Sequence, residues 1–269
     1  MHNLFKLLAA IALVAMLVAP FVKDEGAADD TVDSRVGEGS RYVSQDKPDF
    51  AAITDANKKK QAFFDYLRPA VAAENLRISK ERSQLKVIET AFNSDDMTSA
   101  DISFAQKLGE KYASKVPDSG LTSKWFATML MKVNLIPEAL VLTQAANESA
   151  WGTSRFAREA NNYFGQWCYN KGCGLVPLQR IEGASHEVAK FDSMSESVHG
   201  YFMNVNRNKA YAQLRQIRAN IVASGDSILT DSAATQLTNG LLKYSERGQA
   251  YIDDLQSMIR VNQKFWKAS

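Results

Sequence analysis

Residues 137–149 constrain this chain more than any other stretch. Ala139, Leu140, Val141, Leu142, Ala145 and Ala146 cover most of a helix's circumference, which predicts a largely buried helix. Its polar side chains, Thr143, Gln144, Asn147 and Glu148, fall at i, i+1, i+4 and i+5, one stripe rather than a scatter. A buried helix with a single polar stripe should face a cleft. Glu148 closes that stripe, and Trp151 follows three residues later. Burial disfavours the charged form of a carboxyl, so Glu148 is expected to hold a proton near neutral pH and to donate it. The bland alternative, a surface glutamate, suits so apolar a helix poorly. Gln144, one turn earlier, is placed to orient that carboxyl or simply to solvate the cleft. Trp151 is open to two roles, a wall of the site or part of the core.

The flanking sequence reads as mostly helical. Pro137 suits a first helical position, and Gly152 should end the helix. Thr153 or Ser154 can cap the next one, with Phe156, Ala157, Ala160 and Phe164 at helical spacing. Upstream, residues 49–93 are helix-like, with Phe63, Leu67 and Val71 recurring every four residues and Pro69 expected to kink or divide the run. Further helices fit residues 99–114 and 122–133. Residues 175–191 change character: two short strand-like runs flank Glu182, Gly183 and Ala184, a hairpin turn, and Pro177 marks the first run as an edge strand. Helix resumes at Ser193, which makes a capping box with Glu196. There Val198, Tyr201, Phe202 and Val205 form an apolar face, on which packing is the commoner role for Tyr201. Helices also fit residues 231–243 and 248–264. The fold class is α+β, mostly α-helical, with one small β-hairpin.

Residues 1–22 read as a targeting segment, with Lys6 ahead of an apolar run at 7–22. That run falls just short of the roughly 20 residues that span a bilayer comfortably, which favours a secretory signal over a signal anchor. Residues 23–47 are small, polar and charged, a flexible tether. The chain is thus expected to be exported: periplasmic, secreted, or attached to the inner membrane through its apolar segment. In that setting Cys168 and Cys173 first suggest a local disulfide; a metal site would need more ligands, and two reduced thiols are the alternative. No metal and no cofactor is expected. The 269 residues carry 32 basic and 30 acidic side chains, a balance that argues against a nucleic-acid partner.

Two stretches carry a resemblance. Residues 146–157, then Asn161, Asn162, Tyr163, Phe164, Gly165, Gln166 and Trp167, resemble the glucosaminidase domain of glycoside hydrolase family 73. Residues 167–177, with their two cysteines, are similar to a Gram-negative subgroup of that family, as are Asp49–Phe50, Phe63 to Leu67 and Glu74–Asn75. The resemblance covers roughly residues 48–266. It implies a lysozyme-like lobe over 121–269, with 48–120 as an N-terminal helical extension, and an enzyme that cleaves peptidoglycan glycan strands next to N-acetylglucosamine.

Glu148 falls on the family's acid glutamate. The segment 244–251 resembles one that holds a functional tyrosine, assigned here to Tyr251, although Tyr251 also sits in packing register with Leu255 and Met258. The expected substrate-binding set is Gln144, Trp151, Asn162, Phe164, Gly165, Trp167, Tyr201 and Tyr244; Asn162, Phe164 and Gly165 can equally just shape the turn into the hairpin. Many relatives place a second glutamate on the hairpin. That place falls here near Gln179 or Arg180, and Glu182 and Glu187, the nearest carboxylates, are out of step with it. The expected activity is therefore a β-N-acetylglucosaminidase with Glu148 as general acid. A lytic transglycosylase and a non-catalytic wall-binding protein are the alternatives.

Overall fold

The computed structural model describes residues 46–178 and 186–266. The expected targeting segment, most of the tether, and the turn at Glu182, Gly183 and Ala184 lie outside them. No described helix is long and apolar enough to cross a membrane. Helix α1 (Ala56–Asn93) starts at Asp55, whose carboxylate accepts the Lys58 N–H at 2.8 Å. Pro69 does not divide the run: α1 continues through it as one element. A mid-helix proline costs about 3 kcal/mol. Phe63, Phe64 and Leu67 before it and Val71 after it are all buried, and each contributes about 1.5–3 kcal/mol, so packing wins.

Helix α2 (Ser99–Lys111) opens with a Thr98–Asp101 capping box and is followed by α3 (Ser123–Lys132), α4 (Glu138–Ser149) and α5 (Arg155–Ala160). Helix α4 packs against α1 on one side. Asn75 of α1 clamps the turn before α4, donating to Ile136 O at 2.9 Å and accepting from Ile136 N at 3.0 Å. Helix α5 stops at Asn161, which turns left-handed at φ 49°, so Phe164 belongs to the turn that follows rather than to a helix.

The β part is a three-stranded antiparallel sheet: β1 (Trp167–Cys168), β2 (Gly174–Leu175) and β3 (Glu187–Ala189), in the order β1-β3-β2. The expected hairpin is the β2–β3 pair, with Leu175 opposite Val188; β1 adds a strand, with Trp167 opposite Val188 on the other side. Two residues are too few for alternation to reveal.

Helix α6 (Met194–Arg207) begins at Ser193, which accepts the Glu196 N–H at 3.2 Å, while Glu196 reaches back to the Asp192 N–H at 2.9 Å. Helix α7 (Ala212–Ala223) was not expected from the sequence, and α8 (Asp231–Thr238) ends earlier than expected. At Gly240 a Cβ would lie 2.3 Å from the Leu214 backbone, so the absence of a side chain lets the chain pass this close to α7. Helix α9 (Gln249–Asn262) then packs on α4 and α8. Arg218 of α7 is fully buried, and burial, reinforced by Arg215 and Arg82, lowers its pKa to about 9. It donates to the carbonyls of Met131, Asn134 and Leu135 and to the Asn206 side chain at 2.7–3.0 Å, satisfying the chain at the end of α3.

Candidate active site

Glu148 lies in the last turn of α4, half-buried. The helix ends before Gly152: Ala150 and Trp151 both adopt left-handed backbone, at φ 50° and 58°. Each such residue costs about 1–2 kcal/mol, strain that the surroundings must hold in place. Ser149 does part of this, its hydroxyl donating to Ala145 O at 2.6 Å and accepting the Gly152 N–H at 2.9 Å. The reversal carries Trp151 to α1, where it meets Phe63 and Phe64 edge-on at 5.8 and 5.3 Å beneath Lys60 Nζ at 5.1 Å. Its described ring partners all belong to α1, so the indole serves the joint between α4 and α1.

Burial raises the pKa of Glu148 above the ordinary carboxylate value; hydrogen bonds from Tyr251 and Asn147 and the charge of Arg247 offset part of that rise. Behind the carboxyl a directed chain of hydrogen bonds crosses the core. The Tyr201 hydroxyl donates to Gln144 Oε1 at 2.5 Å, and Gln144 Nε2 donates to the Tyr251 hydroxyl at 3.0 Å. Tyr251 then donates to Glu148 Oε1 at 2.8 Å. Asn147 Nδ2 also reaches Oε1, at 3.2 Å. Both donors converge on one oxygen, which directs the acidic proton to Oε2. Burial first, and then Glu148 among other neighbours, pushes the pKa values of Tyr251 and Tyr201 well above 10, so these phenols keep their hydrogens.

Gln144 and Tyr201, both in the expected substrate-binding set, are fully buried and join to Tyr251 through Gln144. Phe164 is likewise buried, stacked on Tyr201 at 4.3 Å. Tyr244 stacks parallel to Tyr251 at 5.8 Å and donates to Phe164 O at 2.9 Å, which fixes the ring that fixes the acid. Asn162 is buried and builds the turn. Its Oδ1 accepts the N–H groups of Phe164 and Gln166 at 3.3 and 3.0 Å, and its Nδ2 donates to Gln166 O and Ala189 O at 2.8 and 2.9 Å. That turn sets Gly165, at φ 64°, in front of the acid: a Cβ there would lie 3.7 Å from Glu148 Oε2. Glu148 Oε2 therefore faces a position without a side chain.

The sheet borders this centre. Trp167 stacks on His186 at 3.7 Å, and Cys168 and Cys173 are joined by a disulfide. Glu187, one of the two hairpin carboxylates considered for catalysis, is buried on β3 and accepts the N–H groups of Gly172 and Gly174 at 3.0 and 2.9 Å. That geometry gives it a structural task in the disulfide loop. Glu182, the other, lies outside the described residues. Sequence reasoning placed Asn147 only in the polar stripe and gave no role to Arg247, whose guanidinium pairs with Asp254. Position one residue before Glu148 was the available signal for Asn147.

The model of a family described as Glucosaminidase, mannosyl-glycoprotein endo-beta-N-acetylglucosaminidase, matches residues 124–264, just over half of the chain. The chain is also similar to Protein bax of Escherichia coli (strain K12), at 32% identity over 223 residues, covering 82% of this chain and 76% of that protein. No solved structure matches it significantly. The matched span holds the whole relay from Tyr201 to Glu148, and the chain belongs to the glucosaminidase family, with a glycosidase-type domain.

Proposed function

We propose that this chain is a peptidoglycan hydrolase, a β-N-acetylglucosaminidase that cleaves glycan strands with Glu148 as general acid. The observation that carries the reading is the convergence of Tyr251 and Asn147 on Glu148 Oε1, beside a burial that favours the protonated acid. Oε2 then gives its proton to the glycosidic oxygen, which leaves with the electron pair of its bond to C1. As Glu148 becomes charged, Tyr251 already stands as a donor to the developing carboxylate, and Arg247 favours it electrostatically.

The positive charge at C1 needs a partner. The relay contains one carboxyl, and Glu187 is engaged with Gly172 and Gly174. This favours the substrate's own acetamido oxygen as the group that closes on C1; water then opens the ring, its proton returning to Glu148. The same observation favours, as a second reading, a lytic transglycosylase in which a sugar hydroxyl attacks C1 in place of water. The chain acts outside the cytoplasm, delivered or anchored by residues 1–22.

Mass spectrometry of fragments released from purified peptidoglycan tests this. A reducing-end N-acetylglucosamine is the expected product. A 1,6-anhydro sugar replaces the first reading by the second, and intact wall that merely co-sediments with the protein overturns both.

A further inference from the structure

Tyr169 stands in the disulfide loop between β1 and β2 with 74% of its surface exposed. The loop beneath it is held from several directions. Its ends are joined by the Cys168–Cys173 disulfide, and the Cys173 N–H donates to Asn170 O at 3.1 Å. Glu187 takes the Gly172 and Gly174 N–H groups, and the Lys190 N–H holds Cys173 O at 3.2 Å. The neighbouring indole of Trp167 is partly buried and stacks on His186, so Tyr169 is the more exposed ring beside it. The loop also follows closely on the turn that meets the acid: Gly165, where a Cβ would lie 3.7 Å from Glu148 Oε2, comes two residues before β1 and four before Tyr169. Buried Tyr211 has its pKa pushed up to about 12, first by burial and then by several neighbours that include both Glu148 and Tyr169. Its ring meets Tyr244, which stacks on Tyr251.

We infer that Tyr169 is a stacking platform for an N-acetylhexosamine ring of the glycan, away from the bond that breaks, and that Glu187 is the positioning residue that fixes it. The inference rests on the glycosidase reading above. A pyranose offers an apolar C–H face flanked by polar edges, which suits an amphipathic aromatic ring. A ring already fixed by its loop loses little freedom on binding, so its contact area converts efficiently into affinity. This assigns the hairpin carboxylate to substrate grip instead of chemistry.

The test uses the full chain with peptide-free glycan strands, and it begins with the wild type. If the wild type neither cleaves nor co-sediments with strands, the glycosidase reading fails and takes this inference with it. With an active wild type, Tyr169→Ala should raise KM about tenfold, a larger change than in kcat. Tyr169→Phe should recover most of that loss, since the face and not the hydroxyl makes the contact. Glu187→Gln and the double change Cys168→Ser, Cys173→Ser should raise KM in the same direction, with the thermal transition of each variant recorded alongside. A KM for Tyr169→Ala within twofold of wild type, a loss confined to kcat, or a Phe variant as weak as Ala each overturns the inference while leaving the glycosidase reading intact.

Discussion

Tyr251 and Glu148, 103 residues apart in sequence, meet through a 2.8 Å hydrogen bond in which the phenol is the donor. The direction matters, because a donor favours the ionised carboxylate and so works against the burial that raises the Glu148 pKa. The acid is therefore poised between two opposing influences, and each can be removed separately.

Tyr251→Phe removes the donor and keeps the ring. The Glu148 pKa should rise further, so the basic limb of the pH–rate profile, where the acid loses its proton, moves to higher pH. The lost bond to a developing charge should lower kcat about 10- to 100-fold. A pH–rate profile checks both parts, and a basic limb that stays in place contradicts the assigned direction of the bond.

Gly165 separates backbone strain from access to the acid. Gly165→Ala places a methyl at ordinary contact distance from Oε2, at a backbone cost of about 1–2 kcal/mol. It should lower the melting temperature slightly and leave substantial cleavage. Gly165→Val extends methyl groups further and should lose at least about tenfold more activity, on the order of 1.4 kcal/mol. Equal rates for the two variants would show that Oε2 does not face the reacting bond.

Glu74 governs acid stability at a site remote from the chemistry. Burial opposes its ionisation, yet hydrogen bonds from His199 and Arg77 outweigh this and hold its pKa at about 2. Its folded value is depressed below the ordinary carboxylate value of 4.5, so its stabilisation is present above that pH and lost as pH falls toward 2. The loss amounts to about 3 kcal/mol. Denaturant melts between pH 5 and pH 2 should show it, and Glu74→Gln should be less stable at pH 6 with a flatter acid limb.

Arg218→Met exchanges a buried cation for an apolar side chain. It takes the Arg218 donor from the carbonyls of Met131 and Leu135 and leaves Asn134 O with the Asn206 side-chain N–H at 3.2 Å, and a cost of about 3–5 kcal/mol is expected. Urea unfolding measures it, and a change below about 1 kcal/mol would assign these carbonyls to other donors.

Much of this architecture was legible, and the exceptions have particular causes. Helix α4 announced itself through its apolar circumference and single polar stripe, and α6 through the Ser193 cap. Pro69 does not divide α1, because local propensity knows nothing of the aromatic cluster that outweighs it. Gly152 misled because Ala150 and Trp151 take left-handed backbone that sequence gives no reason to expect. Strand β1 was too short to show a period, and α7 carries charged residues, Arg215 and Arg218, on its buried side. At the site, residue types were readable, but depth was not. Gln144 and Tyr201 look like substrate contacts in a motif, and only the fold reveals that they sit behind the acid.

The central claim is that Glu148 supplies the proton. The most direct measurement is digestion of purified peptidoglycan by wild type and Glu148→Gln, with near-ultraviolet circular dichroism to compare their folds. Loss of a general acid lowers rates about 10²- to 10⁴-fold, so the account predicts release by the wild type and a native-like, essentially inactive variant. A Glu148→Gln protein that cleaves the wall at the wild-type rate would contradict it.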